Sequence, residues 1–144
     1  MMPSSSQLMV GMQSMVADTK VHGLGMDVIE VARIEAAVKR HPERFARRIL
    51  APGEWGRFAS CNEPHRYLAK QFAAKEAVAK ALGTGIAQGV TFHQLLVLRD
   101  ALGAPYVELT GVAAQRCQYL GGRSIRISIT DEDQWAMAVA LVVG

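Results

Sequence analysis

The chain has 144 residues, of which 50% are hydrophobic and 20% charged, with a formal net charge of +3. This length suits one domain, and the composition is that of an ordinary globular protein. No apolar run approaches the ~20 residues that a membrane-spanning helix needs. Two distant cysteines, Cys61 and Cys117, indicate neither a zinc site nor a disulfide framework.

The first 20 residues are rich in Met and Ser but lack the basic and apolar regions of a secretion signal. We therefore expect residues 1–20 to form a disordered N-terminal extension and residues 21–144 to form a single domain. The missing signal also predicts a cytoplasmic location.

The first half of the domain begins with a predicted strand and continues with short helices. His22–Val31 is rich in Val and Ile and alternates in polarity, which is typical of a strand. Apolar residues at helical spacing predict a helix over Val31–Arg40. Pro42 suits the first turn of a second helix that ends near Arg48, and Glu54–Ser60 is a third helical segment.

The longest predicted helix runs from Pro64 to Leu82 and is closed by Gly83. Its interior consists almost entirely of strong helix formers. Lys75 and Lys80 lie roughly 140° apart on the helical wheel, so the charges do not share one face. We expect the helix to be approached from more than one side, with some charges facing a partner or a ligand.

The second half of the domain is predicted to contain four strands and one helix. A turn with Asp and Gly joins the first two strands as a hairpin, and an acidic turn at residues 131–133 joins the last two. The fold class is α+β, a small antiparallel sheet packed on one long helix. The predicted elements are a strand over Val90–Arg99, a strand over Pro105–Leu109, a helix N-capped by Thr110 and ending at Leu120, and strands over Ser124–Thr130 and Trp135–Val143.

A basic segment covers residues 33–48, with six Lys or Arg residues against two Glu residues. Such a segment can be a solvated helix face, a nucleic-acid contact or a dock for an acidic protein. Phe45 is its one aromatic residue, which disfavours a base-stacking platform, and no helix-turn-helix or zinc-finger spacing is present. An acidic protein partner and a plain solvated face both stay open.

Three charged residues suggest a phosphate site that uses a divalent metal ion. Mg²⁺ prefers oxygen ligands and is often held by one or two carboxylates together with substrate phosphates. Asp27, on the first strand, and Glu76, on the long helix, could supply the carboxylates, and Lys80 could meet a phosphate one turn further along. The alternative for Glu76 and Lys80 is an ordinary surface ion pair at i,i+4 spacing, and periodicity does not decide between them.

Two glycine pairs are ambiguous in the sequence. Gly23-Leu24-Gly25 lacks the third glycine and the following helix of a dinucleotide-binding motif. Gly83-Thr84-Gly85 follows a helix, so it is either a helix-terminating turn or a loop whose backbone amides face a phosphate.

Five segments of the chain, taken in order, carry a specific pattern. They are GLGMDVIEVARIE (Gly23–Glu35), FARRIL (Phe45–Leu50), LAKQFAAKEAVAKALGTGI (Leu68–Ile86), GVTFHQLLVLRDALGAPYVELTG (Gly89–Gly111) and RISITDEDQWAMAVALV (Arg126–Val142). Together they resemble the small bacterial holo-acyl-carrier-protein synthases, a family of 4′-phosphopantetheinyl transferases. The similarity covers roughly residues 21–143, and the combination of GxD with FAAKEAxAKALGTGI is highly specific.

The resemblance implies a homotrimer with each active site in a cleft between neighbouring subunits. It implies that Asp27 and Glu76 bind Mg²⁺ and that Lys80 contacts the phosphates of coenzyme A. Gly83, Thr84, Gly85 and Arg126 are further expected coenzyme contacts. The basic segment is then the surface that docks an acidic acyl carrier protein, through residues that we call the docking arginines: Arg33, Arg40, Arg44, Arg47 and Arg48.

The implied reaction transfers 4′-phosphopantetheine from coenzyme A to a serine of apo-acyl carrier protein and serves fatty acid biosynthesis. The serine hydroxyl attacks the β-phosphate, 3′,5′-ADP leaves, and Glu76 and Lys80 are the expected catalytic residues. Two proton acceptors stay open, a water on the metal ion or a carboxylate such as Glu76. Neither nucleic acid nor membrane is an expected partner.

Two positions depart from the usual pattern of the family. Gln71 stands where the family has arginine, and Arg126 stands where it has histidine. Both positions lie near the 3′-phosphate of the coenzyme in the family, so we expect Arg126 to compensate for the arginine missing at Gln71. The alternative to an enzyme is a related protein that docks the carrier without catalysis.

Overall fold

The structure is a computed structural model that describes residues 20–144. The expected disorder of the N-terminal extension therefore concerns residues that, except for Lys20, lie outside the described part of the chain. Within residues 20–144, no helix is both long and apolar enough to cross a bilayer.

Five strands, five α-helices and two short 3₁₀ helices follow one another in the described chain. In order they are β1 (Val21–Glu30), α1 (Val31–Arg40), α2 (Pro42–Ile49), the 3₁₀ helix Pro52–Glu54, α3 (Trp55–Ser60), α4 (Pro64–Ala81), the 3₁₀ helix Phe92–Gln94, β2 (Leu95–Arg99), β3 (Pro105–Leu109), α5 (Gly111–Tyr119), β4 (Ser124–Glu132) and β5 (Trp135–Val143).

The strands form two antiparallel sheets, whereas the sequence predicted one. A three-stranded sheet has the order β1-β5-β4, and β2 pairs with β3 as a separate hairpin. Asp100 stabilises the hairpin turn because its Oδ1 accepts N–H groups from Leu102 and Ala104, each at 2.9 Å. The α+β class is confirmed, with α4 packed on the inner face of the three-stranded sheet.

Helix α4 is the centre of the core. Ten of its 18 residues are buried, six of them alanines. Small side chains let β1, β5, α1 and α2 approach the helix from different directions, which confirms that it is approached from more than one side. Alternate residues of β5 (Ala136, Ala138, Ala140 and Val142) cover the other side of this contact and are also buried.

Two predicted boundaries in the second half of the domain were wrong. The strand predicted from Val90 starts only at Leu95, because Phe92 turns into the core as part of a 3₁₀ helix. The last turn lies at residues 133–134, since β4 continues to Glu132. Asp133 adopts the positive φ of 56° that this turn requires.

Thr110 does occupy the N-cap position of α5, but its side chain makes no capping hydrogen bond. The capping acceptor comes from another element, because Gln94 Oε1 accepts the N–H of Ala113 at 3.0 Å. A cap supplied from a distant residue satisfies the same unpaired backbone donor and leaves no local sequence signal.

Candidate functional site

The site begins with an unusually close contact between strand β1 and helix α4. A Cβ atom on Gly23 would collide with the carbonyl oxygen of Ala81, and one on Gly25 would collide with that of Ala77. Glycine at both positions lets the backbone of the strand lie directly on the alanine face of the helix. This packing explains Gly23-Leu24-Gly25, which the sequence alone left without a role.

The close contact brings Asp27 to Lys80. The Lys80 Nζ donates to Asp27 Oδ1 at 3.0 Å and to the carbonyl oxygen of Met26 at 3.1 Å. The Asp27 side chain is 16% exposed and that of Lys80 is 50% exposed. Lys80 thus pairs across to the strand and not with Glu76, so the alternative of an ordinary i,i+4 surface pair was wrong.

Glu76 shares the electrostatic field of this group. Partial burial raises the pKa of Glu76, and the nearby Asp27 carboxylate raises it further. Lys80 and Arg48 act in the opposite direction on the same pKa. Two carboxylates and two cations therefore lie near one another where β1 crosses α4, with Arg48 contributed by the end of α2.

The pair of Asp27 and Glu76, which we call the acidic pair, fits a Mg²⁺ ion by its chemistry. Both side chains are carboxylates, and the Asp27 carboxylate raises the pKa of Glu76, an effect that a bound cation would oppose. Across residues 20–144, no group of three or more Asp, Glu, His or Cys side chains is arranged to hold a metal ion. Two carboxylates are the usual protein share when substrate phosphates complete the coordination of Mg²⁺.

The turn Gly83-Thr84-Gly85 ends α4 and uses its own amides to do so. The N–H of Gly83 donates to the carbonyl oxygen of Lys80, and those of Thr84 and Gly85 donate to Ala79. Gly83 and Gly85 have positive φ angles of 79° and 61°, as helix-terminating glycines do. The interpretation as a helix-terminating turn is confirmed. Because these three N–H groups donate to carbonyl oxygens of α4, they do not form a loop of amides that face a phosphate.

Arg116 supports this turn and was missed by the sequence analysis. Its Nε donates to the carbonyl oxygen of Leu82 at 2.8 Å, and its guanidinium lies 5.2 Å from the centre of the Tyr119 ring. A cation is favourable at the C-terminal end of a helix. Arg116 lies on α5, so no spacing within α4 could have predicted the contact.

The docking arginines form an exposed basic surface that extends from α1 into α2. All five side chains are exposed. Arg33 and Arg40 line a shallow cavity together with His41. On α2, Arg47 pairs with Glu43 at 3.4 Å, and the Arg48 guanidinium lies 6.0 Å from the centre of the Phe92 ring.

Gln71 has a structural role in the interior of the domain. It is 2% exposed, and its Nε2 donates to Glu54 Oε2 at 2.6 Å and to the carbonyl oxygen of Val97 at 3.0 Å. Arg126 is exposed on β4, on the outer face of the three-stranded sheet. Gln71 is thus fully engaged in the interior, and the expected compensation by Arg126 stays a prediction.

The outer face of the three-stranded sheet is apolar along β1 and β5, whereas the outward residues of β4 are polar. Cross-strand neighbours on this face include Met26 with Val139 and Leu24 with Leu141. Leu24 is 65% exposed and Met26 is 61% exposed. Arg126 lies beside Leu141 in the same row. A contiguous apolar face of this kind marks an interaction surface.

Comparison with known proteins identifies the family to which this arrangement belongs. Residues 23–140 match the family model of the 4′-phosphopantetheinyl transferase superfamily. The chain belongs to this superfamily. It is 50% identical to a holo-[acyl-carrier-protein] synthase of Vibrio parahaemolyticus over 120 residues, which cover 83% of this chain and 95% of the relative.

Solved structures of the superfamily share the fold. The crystal structure of holo-[acyl-carrier-protein] synthase from Neisseria meningitidis matches with a TM-score of 0.82 and 35% identity, over 87% of this chain and all of that one. The Helicobacter pylori synthase, solved in complex with coenzyme A, matches with a TM-score of 0.72 and 32% identity, over 84% and 99% of the two chains. The resemblance inferred from five sequence segments is thereby confirmed.

Proposed function

We propose that this protein is a transferase that moves the 4′-phosphopantetheine group from coenzyme A to a serine of an apo-acyl carrier protein. The observation that carries the proposal is the convergence of Asp27, Glu76 and Lys80 where β1 crosses α4. Relatives named as holo-[acyl-carrier-protein] synthases, one of them solved with coenzyme A, support the choice of substrates.

The acidic pair would hold Mg²⁺ through the carboxylates of Asp27 and Glu76. When bound there, Mg²⁺ supplies positive charge against the negative charge that develops on the diphosphate. Lys80 is half exposed and lies on the same face of α4 as Glu76, about one turn further along. It is therefore suited to bind a phosphate oxygen of coenzyme A as a flexible point charge.

In the proposed reaction the serine oxygen of the carrier forms a bond to the β-phosphorus of coenzyme A. The bond from that phosphorus to the bridging oxygen breaks, and 3′,5′-ADP leaves. We assign the serine proton to the Glu76 carboxylate, which lies beside Asp27 at the site. Gly83, Thr84 and Gly85 would border the coenzyme without donating backbone hydrogen bonds to it, because their N–H groups already donate within the turn that ends α4.

We assign the docking arginines to binding of the carrier protein. They are exposed, basic and continuous with the site through Arg48, which acts on the pKa of Glu76. Acidic partners are drawn to such a surface and oriented by it. A carrier protein of fatty acid biosynthesis and a cytoplasmic location fit this assignment.

The apolar outer face of the sheet supports a homotrimer. Burial of Leu24, Met26 and Val139 between copies would remove exposed apolar surface from water, a gain of about 25 cal/mol per Å². Arg126 projects from the same face. In a trimer it would reach a neighbouring subunit, where we expect it to contact a coenzyme phosphate.

Mass spectrometry of an apo-acyl carrier protein incubated with this protein, coenzyme A and Mg²⁺ tests the proposal directly. We expect a mass gain of one phosphopantetheine group that EDTA abolishes. Asp27→Asn and Glu76→Gln should abolish the gain, whereas Glu108→Gln, which changes an exposed acid on β3, should retain it. Binding of carrier proteins without any mass gain would instead favour a docking protein without catalysis.

A further inference from the structure

A buried polar network lies directly behind the proposed site and has no part in the reaction just described. It consists of Glu54, Gln71 and Lys75, whose side chains are fully enclosed, with residue exposures of 1%, 2% and 0%. Glu54 belongs to the 3₁₀ helix after α2, and the other two belong to α4. Charged residues are almost never enclosed to this degree unless they are paired.

Glu54 ties three different parts of the chain together. Its Oε1 accepts hydrogen bonds from Lys75 Nζ at 2.6 Å and from the N–H of Ala51 at 2.8 Å. Its Oε2 accepts from Gln71 Nε2 at 2.6 Å and from the N–H of Val97 at 3.2 Å. The carboxylate thus joins the chain after α2, helix α4 and strand β2, and each of its oxygens accepts two hydrogen bonds.

Lys75 uses its two other donors to hold α2 beside the 3₁₀ helix Phe92–Gln94. Its Nζ donates to the carbonyl oxygen of Ile49, the last residue of α2, at 2.7 Å, and to that of Phe92 at 3.0 Å. Both segments support docking arginines, since Arg48 lies over the Phe92 ring and the His93 ring contacts the carbonyl oxygen of Arg47.

We propose that Lys75 and Glu54 are positioning residues for the carrier protein. They fix the C-terminal turn of α2 to α4 at the residue next to Glu76, so Arg47 and Arg48 are held at a set distance from the acidic pair. The inference rests on the proposed function, in which α2 docks the carrier. Stability alone is a weak reason for such a pair, because well-packed apolar residues often replace buried ion pairs at no cost.

The test uses the double substitution Glu54→Gln with Lys75→Met, which removes both charges together and leaves no lone buried ion. Fluorescence anisotropy would measure the affinity for a labelled apo-acyl carrier protein in EDTA, at a temperature where circular dichroism shows the variant folded. We expect the carrier Kd to rise about tenfold, since re-ordering two or three loosened arginine side chains on binding has roughly that cost. The Kd for coenzyme A should stay within about twofold, because α4 itself is held by its alanine contacts.

His93→Ala provides a second variant that tests the same clamp from the surface. His93 is exposed, so its loss leaves the core intact while removing the contact to the Arg47 carbonyl. We expect a smaller rise in the carrier Kd. Wild-type carrier affinity in both the double variant and His93→Ala would overturn the inference, and so would a parallel loss of carrier and coenzyme affinity in the folded double variant.

Arg44→Ala with Arg47→Ala separates this inference from the proposed function. These substitutions remove docking charges and leave the buried polar network unchanged. Weakened carrier binding here together with normal binding in the network variants contradicts the positioning role alone. Normal carrier binding in the arginine variant contradicts the docking surface itself, and the positioning role with it.

Discussion

The Gly25→Ala substitution adds one methyl group between β1 and α4. We expect it to move Asp27 on the strand away from Glu76 and Lys80 on the helix. A Cβ at this position would overlap the carbonyl oxygen of Ala77 and lie 2.6 Å from the backbone nitrogen of Ala81. Both obstacles are backbone atoms of α4, so no side chain can rotate away. Strand β1 would have to withdraw by roughly 1 Å to restore ordinary van der Waals distances, and it would carry Asp27 away from Lys80.

We expect Gly25→Ala to cost about 3 kcal/mol, the upper end of the range for overpacked cores, because only backbone movement relieves the overlap. For a domain of this size that loss lowers Tm by about 10 °C. The transferase rate should fall about 100-fold, since a misplacement of 1 Å in an active site can have that effect. The φ angle of Gly25 is not positive, so the effect would be steric and not conformational.

Differential scanning fluorimetry and the carrier mass-shift assay would measure the two effects at a temperature where the variant is folded. Gly56→Ala is the matched control, because a Cβ there has nothing within 4 Å and lies in helix α3. That control should be neutral or slightly stabilising, by up to about 1 kcal/mol. A Gly25→Ala protein with wild-type Tm and full rate would show that the close contact does not position the site.

Three further predictions concern the acidic pair and the outer sheet face. Glu76→Gln should raise the Tm of the protein in EDTA at pH 7, because a raised pKa means that folding disfavours the ionised carboxylate; the difference from wild type should vanish below about pH 4, where both states are protonated. Met26→Asp should yield monomers by size-exclusion chromatography with light scattering, and trimers that persist would refute the assigned interface. Arg126→Ala should weaken coenzyme A binding about tenfold by calorimetry while the trimer persists, as expected for loss of a charge-assisted contact, and unchanged affinity would sink its assignment to a phosphate.

The sequence was sufficient for most of the secondary structure of the first half. The strand near residues 21–31 and the helices at 31–40 and 64–82 were predicted to within one residue of their observed ends. Proline at helix starts and glycine after the long helix mark these boundaries locally. The segment around Phe92 failed because an apolar residue that enters the core through a 3₁₀ turn has the same local pattern as a strand residue.

The sequence also identified the residues that meet at the site, but not how they meet. Asp27, Glu76 and Lys80 were selected for their chemistry and then by family resemblance. Their convergence depends on Gly23 and Gly25, whose importance is visible only when the backbone of α4 is known to lie against β1. The pairing of Lys80 with Asp27 in place of Glu76 follows from that contact.

What the sequence determined by itself was local or chemical: helix and strand periodicity, turn residues, the basic segment and the family. What the tertiary structure decided was which polar groups are buried together. Glu54 and Lys75 are 21 positions apart and look like surface residues in isolation, yet they form a fully buried pair. Gln71 likewise belongs to the interior, where it donates to the Glu54 carboxylate. Burial depends on all the elements that surround a side chain, and no spacing within one segment encodes that sum.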